Sequence, residues 1–154
     1  MLKRNFLFFS LLVVAAACSK NKLESKPSIE LKQMNGNEFL LDTINQFIPD
    51  LVMTIEYDDK EGDLGGGTIT YVRDRLNIIP IQDAASNDKA DTIRSQLPEF
   101  PKTSTGEMEI RVPGLFLQED PDRNDTMEFK IYVQDVAGNV SDTITTPIVV
   151  QSKP

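Results

Sequence analysis

The feature that most constrains this chain is an alternation of apolar and polar residues with a period of two. Apolar residues occupy every second position of 51–57, 108–112 and 129–133. Successive side chains of a β-strand point to opposite faces, so this spacing predicts strands with one buried face. Shorter apolar runs predict further strands at 29–34, 67–72, 76–81 and 143–150. The dominant period is that of a sheet protein.

About seven such strands, with turn signals between them and no sustained helical period, predict an all-β fold built as a two-sheet antiparallel sandwich. Pro147 lies inside the last run, and proline cannot donate to a strand ladder, so an edge or a bulge is expected there. One short helix is predicted at 87–97, stopped by Pro98 and contained in the polar segment 83–106.

Composition narrows the range of functions. The chain has 154 residues, with 16 Lys and Arg, 24 Asp and Glu, no His, no Trp and one Cys. Seryl triads, zinc-protease helices and zinc deaminase sites all need histidine, so these classes are excluded and no enzyme is expected. The net charge of -8 would repel the negatively charged phosphate backbone of a nucleic acid, so we expect no nucleic-acid partner.

The amino terminus has the pattern of a secretory signal. Lys3 and Arg4 precede an apolar run at 6–17, interrupted only by Ser10 and ending in three alanines at 15–17. A run of this length is too short to span a bilayer, which takes about 20 residues. The pattern therefore predicts a cleaved signal peptide at 1–17.

Cys18 follows the three alanines directly, and this junction resembles the lipobox of bacterial lipoproteins, although Ala15 stands where that family more often has Leu. The resemblance implies that Cys18 is acylated and becomes the first residue of the mature chain. Acylation would account for a lone cysteine in an exported protein. Residues 18–27 are then the lipidated cysteine and a polar, flexible tether. The absence of Asp after Cys18 resembles an outer-membrane sorting signal, and the periplasmic and cell-surface faces both stay open.

Two acidic turns follow predicted strands. The first reads DDKEGDLGGG at 58–67, and the second reads DVAGN at 135–139, with Gly138 placed for a positive φ in a tight hairpin. The glycine run is not a phosphate loop, because no Gly-Lys-Ser/Thr follows it. An EF-hand is also excluded, since counting from Asp59 puts Leu64 at the position that requires glycine.

Together with the strands EMEIRVPG (107–114) and TMEFKIYVQDVAGNVSDTITTPIVV (126–150), these turns resemble small lipoproteins of Bacteroidetes-type bacteria that carry one immunoglobulin-like domain. The resemblance implies an immunoglobulin-like β-sandwich over 28–151. It implies no reaction, because the family is largely without assigned activity and a fold does not define chemistry.

In that topology the two acidic turns lie at the same end of the sandwich. Oxygen ligands gathered there suit a hard cation, so a calcium site is one hypothesis. The alternative is that Asp and Gly serve only to make the turns, since Asp side chains bond to nearby backbone. The candidate ligands are Asp58, Asp59, Glu61, Asp63, Asp135 and Asn139.

Four threonines follow an aspartate and precede an apolar residue, which resembles the O-glycan acceptor pattern of Bacteroidetes-type secreted proteins. The alternative is ordinary strand chemistry, which favours Thr. The candidate acceptors are Thr43, Thr92, Thr126 and Thr143.

These observations predict a non-catalytic, lipid-anchored lipoprotein of the outer membrane that serves as a protein-interaction or structural accessory module. Its partners would be the membrane, through the anchor, and an envelope protein. The alternative is a glycan-binding accessory lipoprotein of a carbohydrate-uptake system, which would need exposed aromatic faces for stacking on sugar rings.

Overall fold

The structure is a computed structural model that describes residues 26–42, 44, 47–81, 92–102, 104–120 and 122–154. The predicted signal peptide, Cys18 and most of the tether lie outside the described residues, as does Thr43. Within the described ranges, no helix has the length and apolar character needed to cross a membrane.

The described part of the chain forms nine strands and one helical turn, α1 at Gly114–Leu117. The strands are β1 Ser28–Met34, β2 Glu38–Leu40, β3 Leu51–Asp58, β4 Thr68–Arg75, β5 Thr92–Gln96, β6 Thr105–Val112, β7 Asp125–Gln134, β8 Ile144–Thr145 and β9 Val149–Ser152.

These strands lie in two sheets, one ordered β1-β3-β6 and the other β2-β9-β7-β4-β5, with β8 also paired to β7. Every pairing is antiparallel except that of β2 with β9, which is parallel. The order matches strands A, B and E of an immunoglobulin-like fold in one sheet and strands G, F and C in the other. The predicted all-β sandwich is therefore confirmed, and β2 and β5 are strands that the apolar runs did not predict.

The core forms where the period-two runs of the two sheets face each other. In β3 and β7 alternate side chains are buried along the whole strand, and Met108, Ile110 and Val112 are the buried positions of β6. The fully enclosed apolar side chains, with no exposed area, are Leu51, Met53, Ile55, Val112, Leu117, Met127, Phe129, Ile131, Val133 and Val149.

Two predicted elements are wrong. The described part of the expected helix at 87–97 is strand β5, because residues 92–96 pair in register with β4 and the half-buried Ile93 packs against the core. The expected strand at 76–81 does not form, since β4 ends at Arg75 and Ile78 is 97% exposed. The apolar run at 76–81 pairs with no described strand, so its residues are not part of either sheet.

Pro147 divides the last predicted strand into β8 and β9, as its missing N–H requires. Side-chain hydroxyls take over part of the ladder beside β7. The Phe129 N–H donates to Thr146 Oγ1 and the Val133 N–H donates to Ser141 Oγ, each at 3.0 Å. The central strand thus keeps its backbone groups paired where its neighbour is irregular.

One inward position of β4 carries a charge. Arg73 is in phase with the buried Ile69 and Tyr71, and its side chain has no exposed area. Its Nη1 donates to the Phe116 carbonyl at 2.6 Å, its Nη2 lies 3.4 Å from Glu119 Oε1, and its guanidinium carbon lies 4.5 Å from the Phe116 ring centroid. These contacts offset the cost of burying the cation.

The same network fixes the connection from β6 to β7. Asp125 accepts from Arg75 Nε at 3.0 Å and, through its other oxygen, from the backbone N–H groups of Glu119 and Asp120 at 2.8 Å. Asp120 in turn accepts from the Asp122 N–H, which is the main reason that the pKa of its carboxyl is lowered. Glu119, Asp120 and Asp125 are therefore held to β4 by charge-assisted hydrogen bonds.

We expect Arg73→Met to destabilise the domain by about 3–5 kcal/mol, because it takes a guanidinium contact away from the buried Glu119 carboxylate. Urea denaturation measures the loss. Lys130→Met is the matched control, since it breaks the Lys130–Asp74 pair, whose side chains are 44% and 45% exposed, and should cost about 1 kcal/mol or less. Equal losses in the two variants would contradict the role given to Arg73.

Candidate cation site at one end of the sandwich

Both acidic turns lie at the same end of the sandwich, which we call the loop end. It consists of the β3–β4 loop (59–67), the described residues between β5 and β6 (97–102 and 104) and the β7–β8 turn (135–140). The register brings them together, because Asp58 pairs with Thr105 at the end of β3, and Thr68 pairs with Gln134 at the start of β4. This is the juxtaposition predicted from the topology.

Asp59 organises the first turn. It is 1% exposed, and its Oδ2 accepts from the N–H groups of Asp63 and Leu64 at 2.9 and 2.8 Å. Its Oδ1 accepts from the Glu61 N–H at 3.3 Å. These local bonds fold the loop back on itself, which carries the Asp63 side chain to the Asp59 carboxylate and buries Leu64 under the loop.

Asp135 organises the second turn in the same way. It is 4% exposed and accepts from the backbone N–H of Asn139 at 2.7 Å and from Asn139 Nδ2 at 2.8 Å. Gly138 has a φ of 93°, which confirms the expected left-handed position in this hairpin. The DVAGN turn is therefore held by hydrogen bonds between its own first and last residues.

The glycine run allows the two turns to meet. A Cβ at Gly67 would lie 2.2 Å from the Gln134 carbonyl oxygen, and one at Gly65 would lie 2.6 Å from the Phe100 nitrogen. The Val136 N–H donates to the Asp63 carbonyl oxygen at 3.2 Å across the gap. Residues without side chains are needed here because backbone packs directly against backbone.

Three carboxylates converge as a result. Asp59, Asp63 and Asp135 each offer an oxygen, and these atoms all lie within 4.8 Å of one another. Asp63 Oδ1 is buried and has no hydrogen-bond partner among the described residues. Asp59 Oδ1 and both Asp135 oxygens each accept one hydrogen bond and keep a second lone pair, so Asp59 and Asp135 can still act as ligands.

The electrostatics of the cluster are unfavourable without a positive charge. Burial raises the pKa of the Asp63 carboxyl, and the neighbouring Asp135 and Asp59 carboxylates raise this pKa further. Like charges this close disfavour ionisation of one member. Either a proton or a cation can relieve the repulsion, and calcium takes six to eight oxygen ligands from carboxylates, carbonyls and water.

The six predicted ligands therefore divide into two groups. Asp59, Asp63 and Asp135 come together, whereas Asp58 is exposed at the end of β3 and lies outside the cluster. Glu61 contributes its backbone N–H to Asp59, and Asn139 donates to Asp135. Whether the cluster binds an ion stays a prediction at this point.

Sequence reasoning missed the charged network around Arg73 and the reason for the glycine run. Arg73 could have been found from the phase of β4, since it follows Ile69 and Tyr71 at the same two-residue spacing. The sequence gives no such signal for Gly65 and Gly67. The backbone atoms that leave no room for a side chain there belong to Phe100 and Gln134, which are far away in sequence.

The predicted O-glycan acceptors occupy different environments. Thr92 and Thr143 are exposed, at the first residue of β5 and just before β8. Thr126 is half-buried in β7, where it pairs with Val150 of the neighbouring strand β9.

No family model matches this chain, and no curated protein matches it. Among solved structures, the chain is similar to a bacterial adhesin from Mobiluncus mulieris that contains intramolecular disulfide, isopeptide and ester bond cross-links. The TM-score is 0.41 and the sequence identity is 10%, and the match covers 84% of this chain and 58% of the adhesin chain. The fold assignment rests on the strand order given above, and the resemblance to lipoproteins stays a prediction.

The raised pKa of Asp63 predicts a pH dependence of stability in a chelator. The folded protein holds this proton more tightly than the unfolded chain does, so the Asp63 contribution is present at acidic pH and is lost as the pH rises through the folded-state pKa. Relative to wild type, Asp63→Asn should therefore gain stability steadily from acidic to neutral pH. Urea denaturation across this range measures the difference.

Asp58→Asn is the control, since its exposed carboxyl lies outside the cluster. Its stability difference from wild type should change less over the same pH range. A parallel response of the two variants would show that the three carboxylates do not repel one another as described.

Proposed function

We propose that this chain is a non-catalytic, lipid-anchored envelope module whose loop end is made rigid by a bound calcium ion. The single observation that carries the cation part is the meeting of Asp59, Asp63 and Asp135, with one buried Asp63 oxygen that has no hydrogen-bond donor. Binding modules of the immunoglobulin type use the loops at one end of the sandwich for recognition. A cation that fixes the β3–β4 and β7–β8 turns would hold such loops in one arrangement.

The donor set favours calcium over other ions. Only oxygen ligands are present, which argues against the thiolate and imidazole sites of zinc and copper. Magnesium demands near-ideal octahedral geometry, whereas calcium accepts irregular sets of six to eight oxygens. Backbone hydrogen bonds already hold Asp59 and Asp135 in place, so the site has two fixed ligands and a third on the same loop.

Lipid anchoring at Cys18 is supported by the sequence pattern at 1–18 and is consistent with the way the chain enters the domain. Ser28 pairs with Asp58, so β1 begins at the loop end. Lys26 forms an ion pair with Asp142, which follows the β7–β8 turn. A tether of about ten residues has an r.m.s. reach of about 17 Å, so an anchored Cys18 would keep the loop end close to the membrane.

Glycan binding, the alternative function, has less support. A sugar ring stacks on a flat and accessible aromatic face. In the described ranges Phe47 is the one aromatic residue of the exposed class, at 56%, and Tyr132 is half-buried in β7. O-glycosylation of Thr92 or Thr143 is compatible with their exposure, and an intact mass of the native protein equal to polypeptide plus lipid would exclude it.

Calcium should stabilise the folded protein at neutral pH. At a free concentration 100 times the dissociation constant, a ligand that binds only the folded state contributes about 2.7 kcal/mol. Each 1 kcal/mol raises the Tm of a domain of this size by about 4 °C. We therefore expect a Tm increase of about 10 °C between chelator and saturating calcium, with a smaller effect of magnesium.

Asp63→Asn should lose most of this calcium response, while Asp58→Asn should keep it. The two variants differ in whether the altered carboxyl belongs to the cluster, so the comparison separates site binding from general screening of the acidic surface. Equal midpoints for wild type in calcium and in chelator would refute the cation site and leave a shared proton as the explanation of the cluster.

Cys18→Ser tests the anchor. Produced in a bacterium that processes lipoproteins, the wild-type protein should partition into the detergent phase, begin at residue 18 and carry acyl chains, each worth about 0.8 kcal/mol per buried methylene. The variant should partition into the aqueous phase without acyl mass. Wild-type protein that retains Met1 or is free of lipid by mass spectrometry would contradict the proposal.

A further inference from the structure

One side of the sandwich is open between two edge strands. Strand β6 ends the three-stranded sheet and β5 ends the other sheet, and no described strand pairs with the outer edge of either. In the immunoglobulin arrangement a further strand, D, pairs with the strand that β6 represents. The described residues between β5 and β6, 97–102 and 104, contain no strand, so this position in the sheet is vacant in the described part of the chain.

A groove with a volume of about 440 Å³ and a mixed apolar and polar lining runs along this side. We call it the β5–β6 groove. The edges of β5 and β6 form its two walls, and side chains of the core form its floor. Its apolar lining includes Ile69, Tyr71, Leu97, Phe100, Met108 and Ile110, and its polar lining consists of Ser95, Gln96, Glu107, Glu109 and Arg111.

The three most exposed core residues line this groove. Leu97 and Ile110 are 7% exposed and Met108 is 8% exposed, whereas Ile69 and Tyr71 in the groove are 5% exposed, as is Tyr57 outside it. Met53 and Ile55, the neighbours of Ile110 and Met108 on β3, have no exposed area. An added strand would cover surface that the chain itself leaves accessible, which gives the groove a hydrophobic driving force for binding.

The edge of β6 also has a defined charge pattern. Its outward side chains Glu107 and Glu109 are exposed, and Glu107 lies opposite Glu56, which lies opposite Glu30 across the sheet. Like charges in directly opposed positions are destabilising, and a cation on the next strand would relieve them. Arg111 contacts Glu109 within β6, and Lys32 of β1 contacts Glu56 of β3.

We propose that the β5–β6 groove binds an extended segment of a partner protein, which adds to the outer edge of β6 as a further strand. The alternation of side chains fixes the chemistry of the segment. Its inward residues would be apolar and would fill the groove beside Met108 and Ile110. Its outward residues would be Lys or Arg and would lie beside Glu107 and Glu109. Backbone hydrogen bonds supply affinity in this mode, and the alternating side chains supply specificity.

A second copy of this chain fits the edge less well. Each copy carries a net charge of -8, and pairing two β6 edges would bring two acidic rows together. The proposal is independent of the cation site, which lies at the loop end and uses no residue of β6.

The test uses a capped eight-residue peptide that alternates lysine and valine, added to the full-length chain in a neutral detergent. Fluorescence anisotropy of the labelled peptide should give a submillimolar Kd. Amide NMR shifts should appear in β6 and in the residues that line the β5–β6 groove. A peptide that carries N-methyl groups on alternate residues, and so cannot form a strand ladder, should bind at least about 10-fold more weakly, which corresponds to 1.4 kcal/mol.

Glu109→Lys and Glu30→Lys are matched variants, since both reverse an exposed glutamate on the same sheet face and only Glu109 lies on the β6 edge. We expect Glu109→Lys to weaken binding about 10-fold or more and Glu30→Lys to change it by less than about twofold. Unchanged thermal midpoints confirm that both variants are folded.

Three results would overturn the proposal. The first is equal weakening by the two variants, which indicates general attraction to an acidic surface. The second is an absence of binding, or NMR shifts away from the groove. The third is self-association of the unliganded protein that Glu109→Lys abolishes, which would assign the edge to a second copy.

Discussion

The close backbone approach between the β3–β4 loop and the end of β7 is the constraint on which the loop end depends. Gly67 lies against the Gln134 carbonyl, and the Asp63 carbonyl accepts from the Val136 N–H. Any side chain at Gly67 would push these segments apart. Because they pack this tightly, Asp63 is brought to Asp59 and Asp135 although the three carboxylates repel. The acidic cluster is thus imposed by packing, and a proton or a cation would relieve the repulsion between its carboxylates.

The sandwich handles buried charge differently at its two ends. Around Arg73 the chain supplies both signs, so the guanidinium, the Glu119 carboxylate and the Phe116 ring compensate one another. Such a network ties Glu119 and Asp125 to β4. At the loop end three acids meet, and the backbone donors there offset their repulsion only in part, since the pKa of Asp63 is still raised. The two ends therefore respond to pH in opposite directions: the Asp63 contribution to stability is lost as the pH rises through its folded-state pKa, and the Asp120 contribution is lost as the pH falls through its own.

Much of the fold could be predicted from the sequence because β3, β6 and β7 each bury one face, and a period of two records that directly. Strand β5 could not be predicted, since its residues are mostly exposed and it is positioned by pairing with β4, a contact that local sequence does not encode. The candidate site shows the same division. Topology placed Asp59 and Asp63 near Asp135, but which acids turn inward depends on N–H groups within each loop. These hydrogen bonds place the Asp63 carboxylate in the cluster, whereas Asp58 and Glu61 are not part of it.

The path of the chain has a mechanical consequence. Strand β1 starts at the loop end, whereas β9 finishes at the other end, where the Lys153 N–H donates to Asn124. The two strands belong to different sheets, and each runs alongside a long central strand, β3 or β7. A pull between Ser28 and Ser152 would act along the strands, so it would load the hydrogen bonds of each ladder in shear rather than one after another. Strands β1 and β9 would thus each resist such a pull through several hydrogen bonds at once.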